Sequence, residues 1–251
     1  MICRANNFNF DLPQRVRWAR RILIKPCAGY PLPYPISTSR DLLAKVVSAI
    51  RKVSEADIIL LEGSSCDQQM KPIYRSLGYD FPRVLALDVK ESVFVEVENP
   101  LARPFAMSTF WLPNVLLYCD YLITMAPFKV FSRQGNFCIR NLLSLLPAVK
   151  YQGQDGSEWG ALRALGLDKV IADLYFTLPF DLGVVDGRQK FIGTGEPAEG
   201  ESEPLGKIFV GEPYEVDWEA SQAVGLVTEY LQWIEIAKAQ MEGEETEQAY
   251  P

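Results

Sequence analysis

Histidine is missing altogether from these 251 residues. Its absence removes Ser-His-Asp and Cys-His catalysis, two-histidine metal sites and an imidazole acid–base pair. Any general acid or base falls to Lys, Asp, Glu, Tyr or Cys. Cysteine is scarce: Cys3, Cys27, Cys66, Cys119 and Cys138, none of them spaced as CxxC. A zinc ribbon or ferredoxin-type cluster is therefore not expected. The odd number and the want of a signal-peptide pattern point to reduced thiols in a cytoplasmic protein. No long uncharged apolar run occurs. The most apolar stretch, Leu112 to Phe128, contains Asp120 and two prolines, so no membrane span is expected. An excess of positive charge is absent too. A net charge of −7 counts against general nucleic-acid binding, though it leaves room for a local basic pocket.

What is present reads as strands alternating with helices. RILIK (21–25) is a short apolar strand closed by Pro26, and the loop to Ser39 is proline-rich and extended. Ser39 is a suitable N-cap for a helix through Val53, whose Leu42, Leu43, Val46, Val47 and Ile50 recur at helical spacing. DIILL (57–61) has no polar interruption after its first residue, as in a sheet covered on both faces. A helix over 68–77 stops at Gly78. Strands follow at 84–87, 92–97 and 121–125, with a short helix expected over 111–118. Residues 126–129 are expected to leave the sheet ahead of a helix over 136–146. The region 159–176 reads as helix broken near 166–168, and 180–185 as a strand ending at Asp186-Gly187. The segment 193–206, GTGEPAEGESEPLG, is the most loop-like in the chain. A strand at 207–210 and helices over 214–225 and 228–240 complete the reading. The expectation is one α/β domain over 1–240, with a mainly parallel sheet flanked by helices on both faces and a small irregular insertion. An acidic, disordered tail is expected over 241–251.

In such sheets ligands bind beyond the carboxyl ends of the strands. That rule selects Lys25, then Glu62 with Ser64 and Ser65, then Lys129, then Asp186. Two amines, two carboxylates and two hydroxyls would share one edge. Lys129 lies between Phe128 and Val130, an apolar setting in which an amine must snorkel or pair. Partly buried, it could have a lowered pKa and act as base or Schiff-base former; with a carboxylate partner it stays charged and binds an anion instead. Glu62-Gly63-Ser64-Ser65 could present backbone N–H groups to a phosphate or carboxylate. Arg140-Asn141 is set in a helical stretch where asparagine is a poor interior residue, which suggests a specific hydrogen bond. Cys27 and Cys66 follow strands closely enough for a nearby amine or helix N-terminus to favour a thiolate, although a small inert apolar residue is the commoner case.

The order of these motifs resembles the family known as domain of unknown function 362, some of whose members carry ferredoxin-type iron–sulfur modules. The resemblance covers roughly residues 21 to 225. It rests on RILIKP, STSRDLLAKVVSAI, ADIILLEGSS, DYLITMAPFK, RNLLSLLP, VVDGRQKFIGTGEP and GEPYEVDWEAS. The family pattern has lysine-threonine-histidine after the long central strand; here Lys129 matches and Phe131 stands in place of the histidine. A lysine-asparagine pair in the family corresponds to Arg140-Asn141. Asp186, Gly187, Gly195 and Pro197 match an aspartate-glycine and glycine-proline pattern, and Asp217 an aspartate opening the next helix. The resemblance implies one α/β domain with a strand-end site, and no resident cluster.

The function expected is an enzyme or binder of a small anionic metabolite, phosphate or carboxylate, at the carboxyl edge. Lys129 and Asp186 would be its catalytic groups. Lys25, Glu62, Ser64, Ser65, Arg140, Asn141 and Gly195 would bind the ligand. No metal site is expected, and no cofactor or oligomeric state is specified. The alternative is a non-catalytic accessory protein of a redox or cofactor-assembly system.

Overall fold

A computed structural model describes residues 2–4, 10, 12–64, 68–157, 159–196 and 198–248. Its strands are β1 (Ile2–Arg4), β2 (Arg21–Lys25), β3 (Asp57–Glu62), β4 (Val84–Asp88), β5 (Phe94–Glu98), β6 (Thr109–Pro113), β7 (Tyr121–Phe131), β8 (Gln134–Asn136), β9 (Leu182–Gly193) and β10 (Gly200–Gly211). Its helices are α1 (Arg40–Val53), α2 (Met70–Ser76), α3 (Gly160–Ala164), α4 (Leu167–Thr177), α5 (Pro213–Gln222) and α6 (Glu229–Gln248).

The main sheet runs β1-β10-β9-β7-β2-β3-β4, with β8 paired to β7. Strands β9, β7, β2, β3 and β4 are mutually parallel, whereas β10, β1 and β8 pair antiparallel. The chain is thus α/β with a mostly parallel sheet. Side-chain alternation sends Ile22, Ile24, Ile58, Leu60 and Ile123 to one core, against α1 and α2. Leu23, Ile59, Leu61 and Leu122 go to the other, against β6, α3 and α4. Covering both faces explains why these strands carry almost no polar residue. The β5–β6 hairpin is a separate two-stranded sheet and forms the small insertion.

Four stretches differ from the sequence reading. Residues 111–118 are not one helix: β6 ends at Pro113, and only 114–118 turn as a 3-10 helix. β7 does not stop at Met125 but continues to Phe131. Pro127 is tolerated there because β2 has already ended and the β7–β9 register shifts at that point. Residues 134–136 form β8, and only 140–145 are helical, as a 3-10 turn. The glycine- and glutamate-rich segment read as a loop is largely the β9–β10 hairpin. Its outer part is exposed, so no apolar periodicity marks it; backbone pairing and a cross-strand Lys190–Glu203 ion pair hold it. The last helix, α6, runs to Gln248.

Candidate functional site

The proline-rich loop between β2 and α1 lies across the carboxyl ends of β2, β3, β7 and β9 and touches Lys25, Glu62, Lys129, Asp186 and Arg188, whereas Asp88 at the end of β4 is held by the Met70 and Lys90 backbone N–H groups. Three clusters result, and they differ in how completely their charges are matched.

The first is centred on Lys25, the last residue of β2, which is fully buried. Its Nζ donates to both carboxylate oxygens of Glu62 at 2.9 Å, to the Pro26 carbonyl at 3.0 Å and to Asn141 Oδ1 at 3.0 Å. Glu62, the last residue of β3 and 1% exposed, also accepts from the Ala28 and Gly63 backbone N–H groups and from the Ser144 hydroxyl. Asn141 turns its amide nitrogen toward Thr124 Oγ1 and the Met125 and Pro26 carbonyls. Neither ion retains an unmatched lone pair or proton pointing at solvent. This closed pair ties two strand ends, the loop and the 140–145 turn together. The suspicion that Asn141 makes a specific hydrogen bond holds, though its partners are protein groups. Ser144 carried no signal in the sequence, since a serine on a leucine-rich turn is commonplace.

Gly63 shows how tightly that turn presses on the strand end. A Cβ there would lie 2.4 Å from the Ser144 carbonyl oxygen. Backbone, not a flexible side chain, stands in the way, so Gly63→Ala is expected to cost about 1–3 kcal/mol of stability by overpacking. A chemical-denaturation midpoint equal to that of the unaltered chain would refute the contact.

The second cluster surrounds Asp186, which is 1% exposed. It does not terminate its strand: β9 runs through it, with a register shift opposite Pro127. Arg188 returns on the same side and donates to Asp186 at 2.9 Å and 2.7 Å. It also reaches both oxygens of Asp41 and the Ser39 hydroxyl. Ser39 in turn donates to Asp186 at 2.7 Å, and Tyr34 OH at 3.2 Å. Ser39 therefore occupies the N-cap of α1 without capping it by its side chain. Arg188 holds the Asp41 carboxyl below its usual range through hydrogen bonds and charge. Burial, with Asp186 alongside, pushes the Tyr34 phenol well up. A cavity of about 460 Å³ opens beside this cluster, lined in part by Tyr34, Thr38, Ser39, Asp41 and Arg188.

The third is Lys129, within β7 rather than after it. It pairs across the sheet with Asn136 and Phe191. Its half-buried amine lies 3.1 Å from Cys27 Sγ and 3.1 Å from the Ile36 carbonyl, both on the overlying loop. Among the described residues no carboxylate stands within ion-pair distance of it. Two places further on, Phe131 packs edge-on to Phe191 at a centroid distance of 6.0 Å and covers Gly193.

The remaining sequence candidates are dispersed. Arg140 faces away from the edge and pairs with Asp168 at 3.5 Å. Gly195 lies exposed at the tip of the β9–β10 hairpin. Ser64 is buried directly after Gly63; Ser65 and Cys66 lie outside the described residues. The helix read over 68–77 is α2, which begins at Met70 and has seven residues. Among the described residues no group of acidic or cysteine side chains is placed to hold a metal ion. No helix there is long and apolar enough to cross a membrane.

These features define an α/β protein whose carboxyl edge is strapped by one loop over three ionic clusters. The chain belongs to the family described as Domain of unknown function (DUF362), whose profile matches residues 22–221. Among curated proteins none matches. In fold the chain is similar to the lactate racemase apoprotein from Thermoanaerobacterium thermosaccharolyticum, with a TM-score of 0.50 at 12% identity. The match covers 87% of this chain and 52% of that one, so the chain spans about half the length of that protein. At this identity the shared property is the fold.

Proposed function

We propose that the chain binds a small anionic metabolite, a phosphate or carboxylate, at the carboxyl edge of its sheet, with Lys129 as the group that receives the anion. One observation carries this reading. Of the three cations under the loop, Lys25 and Arg188 are neutralised by buried carboxylates, whereas among the described residues Lys129 has only a thiol and a carbonyl as hydrogen-bond partners. A half-buried ammonium without a countercharge leaves an anion's place open, because a bound carboxylate or phosphate supplies the missing partner. In that arrangement Lys129 holds the anion and Cys27 lies against it. The Asp186–Arg188 cluster fixes the far end of the loop. The Lys25–Glu62 pair serves as an internal clamp rather than a ligand contact.

The test is thermal shift of the full chain against a panel of phosphates and small carboxylates, including the lactate named in its fold neighbour. At least one ligand is expected to stabilise the chain. Lys129→Ala is expected to abolish that shift, and Lys129→Arg to retain part of it. A shift that survives unchanged in Lys129→Ala removes Lys129 from the site. A panel without any shift favours the second reading, an accessory protein without a small ligand, which the internal matching of charge in two of the three clusters also suits.

A further inference from the structure

We infer that the opposite edge of the sheet, around Arg15 to Arg21, is a docking surface for an anionic phospholipid membrane. The segment QRVRWARR precedes β2 and carries four arginines and no acidic residue. It is well anchored. Val16 is fully buried and Ala19 is 8% exposed, both in the core beside α1. The Arg20 and Arg21 backbone N–H groups donate to Asp120 at 2.7 Å and 2.9 Å, and the Arg20 carbonyl accepts from the Asp57 N–H. With that backbone held in place, Arg15, Arg17, Arg20 and Arg21 all project outward. Trp18 between them is 85% exposed. On the neighbouring turn ahead of β7, Leu117 is 56% and Tyr118 65% exposed. The two segments flank one cavity of about 530 Å³ that contains Arg20, Arg21, Leu117 and Tyr118.

Charge and side-chain type together select the occupant. Asp57 and Asp120 line the cavity with Arg20 and Arg21, Asp120 being engaged by the backbone of both, and Asp181 lies at the same edge near Tyr121 with Arg15; four arginines thus gather beside three aspartates in a chain whose net charge is −7. This local reversal of sign fits an anionic partner. The apolar groups argue for a lipid one. Tryptophan and tyrosine project singly at the rim of a basic patch, the placement that membrane interfaces favour, where each ring enters the headgroup layer without needing a matched pocket. The patch lies at the amino ends of the parallel strands, so docking leaves the Lys129 edge facing solution. The inference therefore stands apart from the function proposed above.

Flotation of the full chain with vesicles tests it. At low salt the protein is expected to float with phosphatidylglycerol–phosphatidylcholine vesicles and not with pure phosphatidylcholine, and high salt is expected to release it. Each arginine is expected to contribute about fivefold to partitioning. The Arg15→Gln/Arg17→Gln/Arg20→Gln variant is then expected to lose roughly 10²-fold, with an unchanged melting curve. Vesicles are expected to blue-shift tryptophan emission in the unaltered chain and not in Trp18→Phe. Failure to float with anionic vesicles, or equal flotation of the triple variant, overturns the inference. Retardation of a mixed-sequence oligonucleotide without vesicle binding would also overturn it, assigning the patch to nucleic acid.

Discussion

Lys25→Met is expected to destabilise the chain by about 3–5 kcal/mol, the cost of removing one partner from a buried ion pair. The reason lies in what stays behind. Glu62 is 1% exposed, and without Lys25 its carboxylate retains only two backbone N–H groups and one hydroxyl as donors. Asn141 Oδ1 and the Pro26 carbonyl lose their donor at the same time. Glu62→Gln is expected to cost a similar amount, because it leaves a buried ammonium with neutral acceptors alone: the Pro26 carbonyl, Asn141 Oδ1 and the new carboxamide oxygen. The two changes are not expected to add. Once both charges are gone, the uncompensated ion that made each single variant costly no longer exists. The double variant should then lie closer to the unaltered chain than the sum of the singles, by roughly 1–3 kcal/mol. Urea unfolding of the four proteins decides it. Strict additivity would mean that the pair, despite its 2.9 Å contacts, is not a coupled unit.

The same cluster shows what the sequence could and could not reveal. Lys25 and Glu62 were legible as strand ends, because RILIK and DIILL are continuous apolar runs that stop at a charge. Their pairing was not, since two ends of adjacent parallel strands can share a ligand or share each other. Which happens depends on Asn141 and Ser144, more than 80 positions away from Glu62 or Lys25. The loop over the edge was legible as ordered from its prolines, but its role as a strap depends on Tyr34, Ile36 and Ser39, residues without chemical signature. Arg188 could have been found: once 182–193 is taken as strand, Asp186 and Arg188 fall on one face by the period of two. The reading of Asp186-Gly187 as the end of the strand concealed it. Likewise Lys129 was placed just past a strand that in fact carries it. A proline at 127 argued for a strand end, and only the early finish of β2 makes it acceptable.

Lys129 and Lys25 both began as site candidates, one as a catalytic group and the other as a ligand contact, and burial separates them. A lysine taken fully out of water must carry its own carboxylate, so Lys25 has Glu62. A half-buried lysine can leave part of that requirement to solvent or to a ligand. On the proposed reading, depth beneath the loop, not residue type or strand position, separates the structural amine from the one that receives the anion.

Stability is expected to fall between about pH 4 and pH 7 in one part of its pH profile, because of Asp217. This residue lies in α5, is fully buried, and accepts from the Cys138 and Ile139 backbone N–H groups and from Tyr230 OH. Burial raises its pKa to about 7, with those hydrogen bonds opposing the rise. The folded chain thus holds a proton on this carboxyl over a range where the unfolded chain has released it. The sign follows from linkage: the contribution is complete below the unfolded value near 4 and is lost as pH rises toward 7. A rise from about 4 to about 7 corresponds to roughly 4 kcal/mol as an upper figure. Asp217→Asn cannot titrate. It is expected to be less stable at low pH, because an amide nitrogen must face one of the two backbone N–H donors. Its profile is also expected to lack the decline between pH 4 and 7. Comparing urea midpoints of the two proteins across that range isolates this group from every other carboxylate they share. Parallel profiles would place the Asp217 pKa near its ordinary value, with the three hydrogen bonds outweighing burial.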